Sequence, residues 1–208
     1  MEHPEEEALA PGTIKPSKEV VLDGILIRLQ PVDPENDYVE LYKCSHGEYD
    51  YIWKYMLRGP YASEQHFFEY LKSIKQDPAF VPFTVVNKPT NEKIGIIMFI
   101  HVEPSHKTAE ISLWYTPKYH RTHANTESNC LLLRYAFEDL KYRRIEWKCD
   151  NRNQKSLASA TRLGFKFEAL FRQHMIVRGE SRDTAYLSIL DKEWSQVKQN
   201  LEKKLPSN

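Results

Sequence analysis

Residues 80–115 constrain this chain more than any other segment. Three stretches rich in β-branched and aromatic side chains (80–86, 93–102 and 109–115) are separated by Asn87-Lys-Pro-Thr-Asn and Glu103-Pro-Ser-His, both of which read as turns. The middle stretch is almost continuously apolar, with Ile94, Ile96, Ile97, Met98, Phe99 and Ile100. A strand with one wet face alternates polar and apolar, so this one is expected to lie inside a sheet covered on both faces.

Such a sheet needs helices from the rest of the chain, and the pattern supplies them. Ile25, Ile27 and Leu29 fall on one face of a strand over 24–30, which Pro31 ends. Asp33-Pro34 opens a helix with proline at its first position. Ser63 opens a second, in which Phe67, Tyr70, Leu71 and Ile74 keep helical spacing until Asp77-Pro78. A third carries Leu133, Ala136, Phe137 and Leu140 inward. A strand over 144–149 leads to a short helix ending at Leu163-Gly164, where glycine suits the left-handed residue after a helix. Strands over 165–171 and 184–190 pair across Arg178-Gly-Glu, and a charged helix begins near Lys192. The order β-αα-βββ-α-β-α-ββ-α describes one α/β domain over 20–195, with the helix end and tail at 196–208. Residues 1–19 are acidic, contain Pro4, Pro11, Gly12 and Pro16, and show little periodicity, so a disordered lead-in is expected there.

Composition narrows the function. Lys+Arg and Asp+Glu are 29 each, so no overall field points to nucleic acid or a membrane surface. No apolar run approaches the roughly 20 residues a bilayer requires, and the start lacks the basic and apolar regions of a signal peptide. Three widely spaced cysteines (Cys44, Cys130, Cys149) fit neither a disulfide framework nor a cysteine zinc site, which suggests a reducing compartment, cytoplasmic or nuclear. Locally the charge separates. Residues 31–50 carry a net of −5, expected to meet something cationic, and residues 141–182 a net of +7, suited to a compact polyanion. His120-x-x-His123 lacks a third ligand at useful spacing, so no metal is expected.

Residues 110–139 run strand, proline, polar loop with Arg121, helix. A helix start offers unpaired N–H groups and partial positive charge to a phosphate, with Thr122 or Asn125 able to cap it. The run Tyr119-His-Arg-Thr-His-Ala-Asn-Thr-Glu, followed by Leu132-Leu-Arg-Tyr-Ala-Phe-Glu, resembles motif A of the GNAT superfamily of N-acetyltransferases. Asn153-Gln-Lys-Ser156, Leu163-Gly-Phe165, Phe171-Arg172, Gly179, Arg182-Asp183 and Glu193-Trp194 are similar to the branch of ribosomal-protein N-terminal acetyltransferases (RimJ/RimL-like), as are Arg28-Leu-Gln-Pro and Trp53-Lys-Tyr. The likeness covers roughly residues 22–195. One departure is plain: Thr122 and Ala124 stand where the family carries glycine.

The resemblance implies a mixed, mostly antiparallel sheet of about seven strands, flanked by helices and splayed at an acetyl-CoA site between strands 110–115 and 144–149. It implies a monomer or homodimer acting on a small-molecule amine or a peptide N-terminus, without metal, nucleic acid or membrane. Leu113, Trp114 and Tyr115 would pair with the pantetheine arm. Arg121 and the N–H groups of His123, Ala124, Asn125 and Thr126 would hold the pyrophosphate, with Thr122 adding a hydroxyl donor. Asn153 would anchor the arm, and Ser156 would protonate the leaving thiolate. Glu110 is the first candidate for the base, against His101, His174 and Glu127, and Arg152, Lys155 and Arg162 are candidates for the outer phosphate. His174, Tyr55 and Trp53 would line the acceptor mouth. The alternative is a non-catalytic GNAT-fold protein that binds an acyl-CoA or a partner.

Overall fold

The computed structural model describes residues 14–206. Eight strands form one sheet in the order β1-β2-β3-β4-β5-β6-β8-β7. They are β1 (Leu22–Asp23), β2 (Ile27–Pro31), β3 (Val81–Asn87), β4 (Glu92–Glu103), β5 (Thr108–Tyr115), β6 (Arg144–Asp150), β7 (Lys166–Val177) and β8 (Glu180–Leu190). The helices are α1 (Pro34–Lys43), α2 (Glu64–Gln76), α3 (His123–Arg134), α4 (Gln154–Leu163) and α5 (Asp191–Glu202). All neighbouring strands are antiparallel except β5 and β6.

The central strand is covered on both faces, as its apolar run predicts. Ile94, Ile97 and Phe99 join a core with Leu132, Leu133, Ala160, Leu163, Val197 and Leu201 of α3, α4 and α5. Ile96 and Met98 join a second core with Leu41 of α1 and Phe67, Leu71 and Ile74 of α2. Gly95 lets β4 approach β5 closely: a Cβ there would lie 2.2 Å from the Trp114 carbonyl oxygen. Helix punctuation follows the local chemistry. The Ser63 hydroxyl accepts the His66 N–H (3.2 Å) at the start of α2, and Gly164 ends α4 at φ +106°.

Several boundaries differ from expectation. The strand over 24–30 begins only at Ile27, because the Glu127 carboxylate accepts the N–H groups of Ile25 and Leu26 and turns the chain, leaving Ile25 exposed. The eighth strand, β1, is two residues long and has no periodicity to detect. The final hairpin is longer than read, with its turn at Arg178-Gly179, both at positive φ. α5 buries Val197 and Leu201 in the main core, so residues beyond 195 are structural. Of the expected lead-in, 1–13 lies outside the described residues. Within 14–19, Pro16 is buried and the Ser17 N–H donates to Tyr135 Oη at 2.9 Å.

Candidate active site

β5 and β6 pair only at Thr108–Arg144, Ala109–Ile145 and Glu110–Glu146. Beyond Glu110 they part, and β6 stays with β8 as far as Asp150–Thr184. The result is a fork, closed at Glu110 and opening toward Tyr115 and Asp150. One bank is the edge of β5 over Ile111–Tyr115, which has no strand partner on that side. The other is β6 with the start of α4.

The β5 bank leads into the N-terminus of α3. Thr116 to Thr122 form a loop in which Arg121 takes a left-handed φ of +63° and makes no ion pair among the described residues. Neither residue at the glycine positions needs glycine's freedom: Thr122 has φ −101° and Ala124 lies in the first turn of the helix. The Thr122 hydroxyl donates to the Tyr119 carbonyl (2.8 Å) and accepts the Ala124 N–H (3.2 Å). That corrects its expected role, because its proton is already committed and it caps the helix. Thr126 N–H lies inside the helical ladder by position, so of the four expected N–H donors those of His123 and Asn125 are open. The Asn125 side chain donates to Ser159 Oγ (2.8 Å), and Thr126 Oγ1 accepts from Arg162 (2.8 Å). Arg162 is exposed and uses one of its N–H groups in that bond. Arg152, by contrast, is paired with Asp150 and Glu180 at 2.8 Å each. Lys155 makes no ion pair among the described residues. The Tyr115 carbonyl is engaged by His120 Nε2 at 3.0 Å.

Trp114 and Trp53 pack at a tilt, with centroids 5.2 Å apart, in the α1–α2 core. Trp53 is 1% exposed and donates Nε1–H to the Ser45 carbonyl (2.7 Å), so it is a packing residue and not part of an acceptor mouth. Tyr55 is half-buried, with Lys54 Nζ 5.3 Å from its ring centroid. The acidic stretch 31–50 is also spoken for. Buried Asp37 accepts from Asp33 N and Thr84 Oγ1 and forms an ion pair with Lys93, Glu40 accepts from Lys93 N, and Asp50 accepts from Gly47 N.

On the second bank, Asn153 Oδ1 caps α4 by accepting the Ser156 N–H (3.1 Å). Its amide NH₂ has no protein partner among the described residues. Ser156 Oγ accepts the Trp147 indole N–H at 2.9 Å, and Trp147 is the first β6 residue past the fork. The hydroxyl thus faces the fork strand while the backbone N–H serves the cap. Cys149 is buried, and burial pushes its thiol up from its ordinary value. Burial also raises Cys44 to about 12 and Cys130 to about 11, so no thiolate nucleophile is offered.

Glu110 is 6% exposed at the apex. It accepts from His101 Nδ1 (2.8 Å) and Lys148 Nζ (3.0 Å), and Lys148 also meets Glu146 (2.8 Å). His101 sits at φ +47° beside an irregularity in the β4–β5 register, which aims its ring at Glu110. The hydrogen bond to Glu110 raises the His101 pKa. Glu127 belongs to the clamp on Ile25 and Leu26 and is no base candidate. His174 lies on an irregular stretch of β7 between Phe171 and Met175, its Nδ1 3.0 Å from Thr184 Oγ1 and its ring 5.8 Å from Tyr186.

Four residues of this region carried no individual role in the sequence reading: Trp147, Lys148, Arg178 and Arg182. Arg178, at the β7–β8 turn, donates to the carbonyls of Trp53, Lys54, Met56 and Gly59. Arg182 is buried and donates Nε–H to Thr184 Oγ1 (3.2 Å). A sequence shows that strand residues 148 and 182 are cationic, but not that they are covered.

A family model described as an acetyltransferase (GNAT) domain matches residues 27–166. A crystal structure of a GCN5-related N-acetyltransferase from Brucella melitensis is 33% identical, with 94% of this chain and 90% of that chain covered and a TM-score of 0.88. A GNAT-family protein from Chromobacterium violaceum is 32% identical over 94% and 98%, with a TM-score of 0.87. Among curated relatives, YdaF of Bacillus subtilis, provisionally named a ribosomal N-acetyltransferase, is 31% identical over 104 residues, 50% of this chain and 57% of its own. The spermidine N(1)-acetyltransferase of Escherichia coli is 22% identical over 103 residues, 50% of this chain and 55% of its own. The match thus spans little more than half the length of either relative.

Proposed function

The chain belongs to the GNAT acetyltransferase family, and from that premise we propose that it is an acetyl-CoA-dependent N-acetyltransferase. The acceptor is the amine of a small molecule or of a peptide N-terminus. The observation that carries this reading is the fork, where a β5 edge without a strand partner leads to a helix start with open N–H groups.

The residues present fit the acyl donor. The backbone of Leu113 and Trp114 offers a strand edge to an amide-rich arm, and the N–H groups of His123 and Asn125 with the Arg121 side chain would hold a pyrophosphate. The Asn153 amide would steady the arm. When bound, the donor supplies an activated acetyl thioester.

The protein's own groups then handle two protons. An alkyl amine has a pKa of about 10.4 and arrives charged, so a proton must leave it before it attacks. The Glu110–His101 pair at the apex takes that proton, and exposed His101 passes it to solvent. The Ser156 hydroxyl, polarised by the Trp147 N–H, gives its proton to the departing thiolate. Transfer is direct, since each cysteine thiol is raised by burial.

The alternative, a non-catalytic acyl-CoA-binding protein, has one observation in its favour: Thr122 already caps one of the helix N–H groups. Calorimetry with acetyl-CoA followed by thiol release over an amine panel separates the two. Binding with Ser156-dependent release supports the enzyme, whereas tight binding without release from any amine supports the binder.

A further inference from the structure

We infer that Arg182 is the anchor for a carboxylate on the acceptor, so that the substrate amine belongs to an amino acid or short peptide with a free acid group. This rests on the acetyltransferase reading above.

Arg182 is 5% exposed, so most of its side chain is covered while its Nη groups still reach solvent. Only Nε has a partner, the neutral hydroxyl Thr184 Oγ1 at 3.2 Å. Its other N–H groups have no acceptor among the described residues. Arg182 acts electrostatically on Asp150, whose two oxygens are both bonded by Arg152. Lys148, the other covered cation on this bank, is committed to Glu110 and Glu146. Arg182 is thus a buried cation with unspent donors in a fork geometry that matches a carboxylate.

Its place favours the acceptor over the acyl donor. Arg182 lies on β8, beyond the last β6–β8 pair, at the open end of the second bank. It shares Thr184 with His174, whereas the helix N–H groups suited to the donor's phosphates lie across the fork on α3. The Arg182 side chain shares a face of β8 with Thr184 and Tyr186, whereas Ser181 and Asp183 face the other way and line a separate cavity with Arg152 and Arg172.

The test is binding in the presence of CoA. N-acetyl amino acids and dipeptides, each paired with its C-terminal amide, are titrated by calorimetry into the full chain and into Arg182→Gln and Arg182→Lys. Melting temperatures confirm that each variant folds. Expected is at least about tenfold tighter binding of the acid than of the amide in the parent. Arg182→Gln erases that margin while leaving the amide constant and the CoA constant unchanged, and Arg182→Lys keeps part of it. Equal binding of acid and amide, or no binding of any pair, overturns the proposal. So does an Arg182→Gln defect confined to CoA affinity, which would reassign the cation to the donor's phosphates. Failure of CoA itself to bind the parent would instead sink the acetyltransferase reading.

Discussion

The two banks of the fork solve different problems with different materials. The β5–α3 bank offers backbone: a bare strand edge, helix N–H groups and one unpaired arginine. Its side chains are largely consumed in holding it together, as Thr122, Asn125, Thr126 and His120 show. The β6–β8 bank offers side chains: Ser156 under the Trp147 indole, Lys148 between two carboxylates, Arg182 with donors to spare and the displaced stretch at His174. Backbone recognition tolerates sequence change, so this bank suits a ligand common to a whole family. Side-chain recognition does not, so under the proposal above the acceptor would be told apart on the other bank, from which Asn153 and Ser156 also serve the donor.

If that division is right, mutations should sort by bank. The largest effect is expected from Ser156→Ala, which should lower kcat about 100-fold and leave the acetyl-CoA dissociation constant within about twofold. Stopped assays for thiol release together with calorimetry would check it, and undiminished turnover would break the comparison. Lys148→Met should come next. It leaves Glu110 covered with exposed His101 as its one remaining ion-pair partner, and should cost about 2–3 kcal/mol in urea unfolding. On the first bank, Thr122→Gly should cost only a few tenths of a kcal/mol, because glycine is itself an acceptable N-cap. It releases the Ala124 N–H, so acetyl-CoA should bind a few-fold tighter; weaker binding would show that the threonine hydroxyl contacts the donor after all.

The smallest effect is a pH signature in which two histidines oppose each other. His101 is raised by Glu110, so its contribution is complete below pH 6.5 and is lost as pH rises through its folded value. His46 is lowered by burial among Tyr42, Trp53, Tyr61 and Phe67, where its Nε2 accepts the Tyr61 N–H at 3.0 Å. Its contribution is present above pH 6.5 and is lost as pH falls. Stability profiles of His101→Gln and His46→Gln should therefore diverge from the parent on opposite sides of pH 6.5, and deviations on the same side would contradict both assignments.

The sheet was legible because Ile94 to Ile100 and the flanking turns impose their periods locally. The same holds for Ser63, Pro34 and Gly164 as helix punctuation. What escaped depended on distant partners. Nothing near Ile25 announces that a glutamate 102 residues away will take its N–H. Trp53 and Tyr55 read alike in an aromatic run, yet one is sealed against Trp114 and the other is half-open. The acidic stretch pointed to a cationic partner, while its central carboxylate, Asp37, is satisfied by Lys93 within the same chain. Of the site residues expected from resemblance, Glu110 lies at the fork's apex and Ser156 at the start of α4, while Trp53 is packed in the core and Thr122 caps a helix. Which of their atoms are free is decided by tertiary neighbours.

The guanidinium of Arg178 reaches from the last hairpin to four carbonyls of a loop that rests on β5, and so passes over the fork on the side of α1 and α2. The two banks are thereby joined twice, by the ladder at Glu110 and by this one side chain, so the width of the opening between them rests on a single residue far along the sequence from either strand.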